Sequence, residues 1–191
     1  LVGCDGFLDE YSITEVRPTE LTDIEQLLLG DAYLDAGQKE VQYNIMDIFT
    51  DDIKCNGLGN EGFRTYFESM RWRFLWDADM FNNAGGGYDA AFWELPYNKI
   101  LGCNIVLDCL DDMTGEASLR ENLRGEALTL RSMYYLMLVN MYGMPYNEGD
   151  PSLNPGVPLK LTAEMGTSGM KRNTVEEVYT RIIQDLLEAE R

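Results

Sequence analysis

The stretch SLRENLRGEALTLRSMYYLMLVNMYG, residues 118–143, decides the fold. Within it Leu123, Ala127, Leu130, Tyr134, Met137 and Met141 recur at intervals of four, three, four, three and four. That is the beat of one face of a 3.6-residue helix. Ser118-Leu119-Arg120-Glu121 has the form of a capping box, in which a hydroxyl and a carboxylate satisfy the first free amides, and Gly143 supplies a stop. These signs predict one unbroken helix along the whole stretch.

The same beat extends outward on both sides. Upstream, Trp93, Tyr97, Ile100, Asn104 and Leu107 recur at four, three, four and three, which predicts a second helix. Pro96 lies inside it and is expected to kink it or to mark a later start, since proline removes a hydrogen bond and crowds the preceding turn. Earlier still, Thr22-Asp23-Ile24-Glu25 reads as a capping box opening a helix with Ile24, Leu27, Leu28 and Tyr33 on one face, ending near Gly37. The apolar segment from Val41 to Phe49 reads as helix rather than strand. Downstream, Thr174-Val175-Glu176-Glu177 caps a helix with Val178, Ile182, Leu186 and Ala189 on one stripe. It is expected to remain helical to Arg191 and, with no glycine stop, to look like a cut element.

Between Gly143 and Asn173 lie Pro145, Pro151, Pro155 and Pro158 with Gly149, Gly156, Gly166 and Gly169, so this segment is a long loop, functional or disordered. Gly125, Ala127 and Ala189 are small enough for helix backbones to approach. The expected fold class is therefore all-α: antiparallel helical hairpins in a tetratricopeptide-like stack, with long irregular loops.

Composition narrows the function. The 191 residues carry 15 Lys+Arg against 33 Asp+Glu, a formal charge of −18 that repels phosphate backbones, so no nucleic acid partner is expected. There is no histidine, which removes the commonest general base, the Ser/His and Cys/His nucleophile pairs and the imidazole metal ligand. The four cysteines contain no C-x-x-C, and Cys103 and Cys109, six apart on one helix, point to different faces and cannot bridge. The longest apolar run, Met133 to Val139, falls far short of the roughly 18 residues a membrane-spanning helix needs.

Several residues in order carry a family resemblance: Trp93, Tyr97, Ile100 and Asn104; Gly125-Glu126-Ala127, Leu130-Arg131 and Tyr134-Tyr135; Tyr142-Gly143 and Pro145; then Gly156-Val157-Pro158-Leu159 through Arg172, Thr174, Val175, Val178-Tyr179, Ile182, Asp185-Leu186 and Ala189. This order resembles the N-terminal portion of SusD-like (RagB/SusD) outer-membrane lipoproteins of Bacteroidetes. The resemblance covers nearly the whole chain. It implies a cell-surface subunit that captures an oligosaccharide or other nutrient for a SusC-like TonB-dependent transporter, with no catalytic residue, no metal and no cofactor. It implies a lipobox and extended tail over residues 1–18 and a helical domain over 19–191, the family's C-terminal half being absent. Glu126 and Arg131 read as structural, since a charged residue inside a helix pair is usually partly buried and ion-paired; by the same analogy Asp185 is the partner of Arg131.

Leu1-Val2-Gly3-Cys4 has the form of a bacterial lipobox, with small residues before a cysteine that takes the lipid. From the tetrapeptide alone, a cysteine near a ragged terminus is the other reading. The resemblance favours lipidation at Cys4 and an outer-membrane location, and Asp5, Asp9 and Glu10 suit the acidic export signals of that phylum.

Sugar recognition needs flat rings for the C–H face and amides, carboxylates or guanidinium groups for the hydroxyls. Trp72, Arg73, Trp76, Asp77, Asp79, Asn82, Asn83 and Tyr88, around Gly85-Gly86-Gly87, offer both and are the candidate ligand residues. The alternative is that Trp72 and Trp76, four apart, form a buried helix face. Trp93 leads an apolar stripe and is assigned to packing.

Gly57-Leu58-Gly59-Asn60-Glu61-Gly62 fits G-x-G-x-x-G, but neither a buried strand before it nor a parallel β-α-β run after it is present, so it reads as a turn. Asp77-Ala78-Asp79 with Asn82 offers oxygens of the kind calcium takes but lacks the glycine and distal glutamate of an EF-hand loop; no metal site is assigned. Two other functions remain open: a tetratricopeptide adaptor for a protein partner, and a carboxylate-based glycosidase, which needs no histidine.

Overall fold

The computed structural model describes residues 18–34, 50–52, 54, 68, 71–80, 88–164, 166 and 169–191, with the side chains of 88–92 outside that description. The described elements are helical: α1 (Leu21–Leu27) with a π turn (Leu28–Ala32), α2 (Tyr88–Cys109) with a 3-10 turn (Leu110–Asp112), α3 (Ala117–Tyr142) and α4 (Val175–Ala189). Among the described residues the extended pairings are two isolated bridges, Glu20 with Thr114 and Pro155 with Thr174. The segment from Val41 to Phe49, the Gly57–Gly62 turn and Cys4 lie outside the described residues.

Consecutive helices run antiparallel, as their cross-contacts show. Along α2 and α3, Trp93 meets Tyr142, Asn104 meets Arg131, and the Leu110 carbonyl meets Arg120. Along α3 and α4, Gly125 faces Ala189, Arg131 faces Asp185, Ser132 faces Ile182, and Asn140 faces Tyr179. The core lies between them: Ile24, Leu28, Ile100, Val106, Leu123, Tyr134, Leu138, Val157, Val178 and Ile182 are all buried.

α3 departs from its single expected stripe. Leu123, Ala127 and Tyr134 are buried, but so are Leu128, Arg131, Ser132, Tyr135, Leu138 and Val139. The helix packs against both α2 and α4, so its buried residues fill a broader arc than one stripe.

Two helix starts and one stripe are corrected by the structure. α1 opens two residues early, with Glu20 as N-cap and Asp23 at its third position; the Asp23 carboxylate accepts from the Thr19 and Glu20 amides at 2.9 and 3.1 Å. It closes through a π turn at Ala32 rather than near Gly37. α3 begins at Ala117 after Glu116, so Ser118 sits inside the first turn; Gly115, at φ 149, turns the chain against Leu21 before the helix can start. α2 runs through Pro96, which leaves out the later of the two expected outcomes, a start beyond the proline. In α4 the buried stripe is Val175, Val178, Ile182 and Asp185, while Leu186 is 44% exposed, because the buried Arg131 on α3 draws the carboxylate inward. α4 ends at Ala189, not Arg191. Its Thr174–Glu177 capping box forms as expected, with Glu177 N–H donating to Thr174 Oγ1 at 3.2 Å and Glu177 Oε2 accepting from Thr174 N–H at 2.8 Å.

Among its described residues, the proline-rich loop is pinned to the helices at 156–160 and at Arg172. Tyr97 Oη donates to the Pro158 carbonyl at 2.7 Å, Asn104 Nδ2 to the Lys160 carbonyl at 2.9 Å, and Arg172 to the carbonyls of Gly156 and Tyr142. The Tyr135 hydroxyl both accepts from Lys160 N–H and donates to its carbonyl. Gly156, Val157 and Pro158 are buried, so this part of the expected loop is packed into the fold.

Candidate functional site

The candidate ligand residues begin in a short helical turn over 71–74. Leu75 N–H closes a helical bond to the Arg71 carbonyl at 3.0 Å, and then the pattern changes. Asp77 N–H reaches back to the Trp72 carbonyl and Trp76 N–H to the Arg73 carbonyl, both at 3.0 Å. This is a Schellman stop, with its pair of six-to-one and five-to-two bonds. Its pivot residue adopts left-handed backbone geometry, a position usually filled by glycine, and here it is Trp76 at φ 53.

That geometry sets where the rings go. A left-handed pivot points its side chain away from the helix it ends, and the Trp76 indole is 64% exposed, whereas Trp72, inside the turn, is half-buried. The two tryptophans therefore do not form one buried face, despite their spacing of four. The Arg71 guanidinium lies 5.8 Å from the Trp72 ring centroid and 3.7 Å from the Glu68 carboxylate, while Arg73 is buried. Beyond the pivot, Asp77 Oδ1 accepts from Asp79 N–H at 2.9 Å and the Asp77 carbonyl from Met80 N–H at 3.1 Å, a self-braced turn behind the indole.

The structure thus brings Trp72, Arg73, Trp76, Asp77 and Asp79 into one short motif. Asn82 and Asn83 lie outside the described residues, and Tyr88 opens the backbone of α2. Among the described residues no three metal-ligating side chains converge. What the motif offers chemically is an outward apolar ring beside carboxylates, which suits stacking and hydroxyl pairing.

A second concave feature had no signal in the sequence. An open groove of about 560 Å³ lies between α3 and the end of α4, lined by Tyr33, Gly125, Glu126, Leu130, Ala189 and Glu190. Tyr33 Oη donates to Glu126 Oε2 at 2.8 Å across it, and partial burial together with that carboxylate raises the phenol's pKa. Only the fold brings residue 33 to residue 126. Trp93, assigned to packing, meets Tyr97 at a tilt, 5.1 Å between centroids, and Tyr142 edge-on at 5.0 Å, and remains partly exposed.

Compared with known proteins, residues 6–191 match the family model SusD-like, described as starch-binding and associating with the outer membrane. No curated protein matches the chain. Among solved structures, a SusD-like carbohydrate binding protein from Bacteroides vulgatus ATCC 8482 is 26% identical with a TM-score of 0.66, over 90% of this chain and 35% of its own. SusD superfamily proteins from Bacteroides fragilis (24% identity, TM-score 0.55, 88% of this chain and 38% of that one) and Bacteroides thetaiotaomicron VPI-5482 (18%, 0.59, 90% and 37%) share the fold. The chain spans little more than a third of the length of these three relatives.

Proposed function

The chain belongs to the SusD-like family, and from that membership we propose that it is the N-terminal portion of a lipid-anchored, cell-surface glycan-binding protein that serves a SusC-like TonB-dependent transporter in polysaccharide uptake. The family description supports the outer-membrane location and a carbohydrate ligand; anchorage through Cys4 rests on the lipobox form of residues 1–4. Binding without catalysis is the reading, with no histidine in the chain.

The observation that carries a sugar site at residues 71–80 is the Trp76 indole, held into solvent by a backbone position that a bulky residue occupies at a cost. The ring stacks on a sugar face, Asp77 and Asp79 accept from hydroxyls, and Asn82, Asn83 and Tyr88 complete the set. The test is native affinity electrophoresis of the full-length protein in gels containing soluble starch and a panel of other glycans. Retardation without product release, reduced about tenfold in affinity by Trp76→Ala, is the expected outcome; tenfold corresponds to about 1.4 kcal/mol. Release of shortened glycan would favour a glycosidase. Retention by peptides and by none of the glycans would favour an adaptor.

A further inference from the structure

The sequence offers Arg73 as a partner for sugar hydroxyls, and its burial bars it from that role. The side chain is 1% exposed, among the largest fully buried ones, while Phe74, Leu75 and Trp76 directly after it are exposed. A guanidinium enclosed to that degree reaches no ligand lying on the outer side of the turn. It is instead engaged by the protein around it, as a buried charge must be.

The backbone of the same residue holds the ring that does face outward. The Arg73 carbonyl accepts from Trp76 N–H at 3.0 Å, the inner bond of the pair that stops the helix. Four helical residues, 71–74, are too few to hold their own shape. A tryptophan at φ 53 persists only where its surroundings over-determine it. Something must therefore fix this turn. Arg71 is exposed and directed to Glu68 and the Trp72 ring, Trp72 is half-buried, and from 71 to 76 Arg73 alone is enclosed.

We propose that Arg73 is a positioning residue: its buried side chain anchors the turn, and through its carbonyl bond to Trp76 it fixes the direction in which the indole meets a glycan. The proposal rests on the reading of Trp76 as the sugar-stacking ring, and it gives Arg73 no contact with the ligand. Lysine does not replace it, because a point charge on a flexible stem lacks the rigid planar fork that selects one arrangement.

Two measurements on the full-length protein test it. In the first, tryptophans are replaced by 5-fluorotryptophan and the fluorine resonances of Trp76 and Trp93 are assigned by their loss in Trp76→Phe and Trp93→Phe. Arg73→Lys and Arg73→Met are expected to shift or broaden the Trp76 resonance and to leave that of Trp93 in place; where Arg73→Met unfolds the protein, Arg73→Lys, which keeps the charge, is the variant read. In the second, starch affinity from native affinity electrophoresis is expected to fall about tenfold in Arg73→Met and no further when Trp76→Ala is added, since one route carries both losses. An unmoved Trp76 resonance overturns the positioning role. So does an Arg73→Met loss that persists undiminished in the Trp76→Ala background, which would mark a direct contact with the glycan. If Trp76→Ala by itself leaves starch retention unchanged, the sugar reading fails, and the Trp76 resonance still decides whether Arg73 places the ring.

Discussion

Arg131 and Asp185 meet in a two-pronged pair: Nε donates to one carboxylate oxygen and Nη2 to the other, each at 2.8 Å, with Arg131 5% and Asp185 0% exposed. Arg131 Nη1 also donates to Asn104 Oδ1 at 2.8 Å, Asn104 holds the Lys160 carbonyl, and Arg181 adds a third bond to Asp185. One buried guanidinium thereby joins α2, α3, α4 and the proline-rich loop. Such a pair contributes less through net attraction than through the penalty for breaking it, because either charge left alone is buried without compensation.

Asp185→Ala is therefore expected to lower unfolding free energy by about 3–5 kcal/mol. Arg131→Met with Asp185→Leu is expected to recover much of that loss, since the two most deeply buried charges go together and only the partly exposed Arg181 loses a partner. Chemical denaturation of Arg131→Met, Asp185→Leu and the double of the two gives the coupling; independent, additive effects would show that the pair does not act as a unit.

Gly102→Ala should destabilise although alanine gains up to about 1 kcal/mol in helix propensity. A Cβ there would lie 2.9 Å from the Asp31 backbone carbon and 3.0 Å from its oxygen, where α2 crosses the π turn. Backbone cannot rotate aside as a side chain does, so a net loss of about 1–3 kcal/mol is expected from overpacking. A melting temperature equal to or above the parent's would contradict that close approach.

Trp76→Gly separates ring from backbone. Glycine at φ 53 relieves roughly 1 kcal/mol of left-handed strain, so thermal stability is expected to hold or rise while starch retention falls. A fall in both would mean that the indole is a packing residue.

Acid sensitivity follows from two helix starts. Hydrogen bonds from the Thr174 amide and then the Asn173 side chain hold the Glu177 carboxyl below its ordinary pKa, and those from the Thr19 and Glu20 amides do the same for Asp23. A carboxyl depressed in the folded state stabilises it above the unfolded pKa, near 4.5 for Glu177 and 3.8 for Asp23, and loses that contribution as pH falls through the folded value. Glu177→Gln and Asp23→Asn should each lose less stability than the parent between about pH 6 and pH 3 in denaturant titrations. Parallel pH profiles would show that the caps do not titrate with folding.

Burial pushes the Cys103 thiol up to about 12, with Arg131 and Lys99 only partly opposing it. Native protein at about pH 8 should leave Cys103 unalkylated until it is unfolded, as read by peptide mass spectrometry. Modification of the native chain would show that this part of the core opens readily.

Legibility in the sequence tracked how local each signal is. The Thr174–Glu177 box spans four residues and reads without reference to the rest of the chain; the stripe from Trp93 to Leu107 likewise marked α2 with Asn104 on its inner face. Ser118 misled because a hydroxyl three residues before a glutamate is only a candidate cap, and the turn at Gly115 starts the helix earlier. In the candidate site, the grouping of Trp72, Trp76, Asp77 and Asp79 was legible from spacing. The outward turn of Trp76 was not, since it follows from how the helix stops. The Arg131–Asp185 pair was reached only through family resemblance, because nothing local links residues 54 positions apart.

The sequence by itself determined that this chain is helical, where its long helices lie, and that its chemistry excludes histidine-based catalysis. Those properties follow from periodicity and composition, which each residue shares with its near neighbours. Only the tertiary structure decided which faces close: that α3 packs against both α2 and α4, that Asp185 displaces Leu186 from the interior, and that Tyr33 reaches Glu126. A helical stripe sets direction about its own axis but not the number of neighbours around it, and that number comes from packing energy summed over the whole bundle.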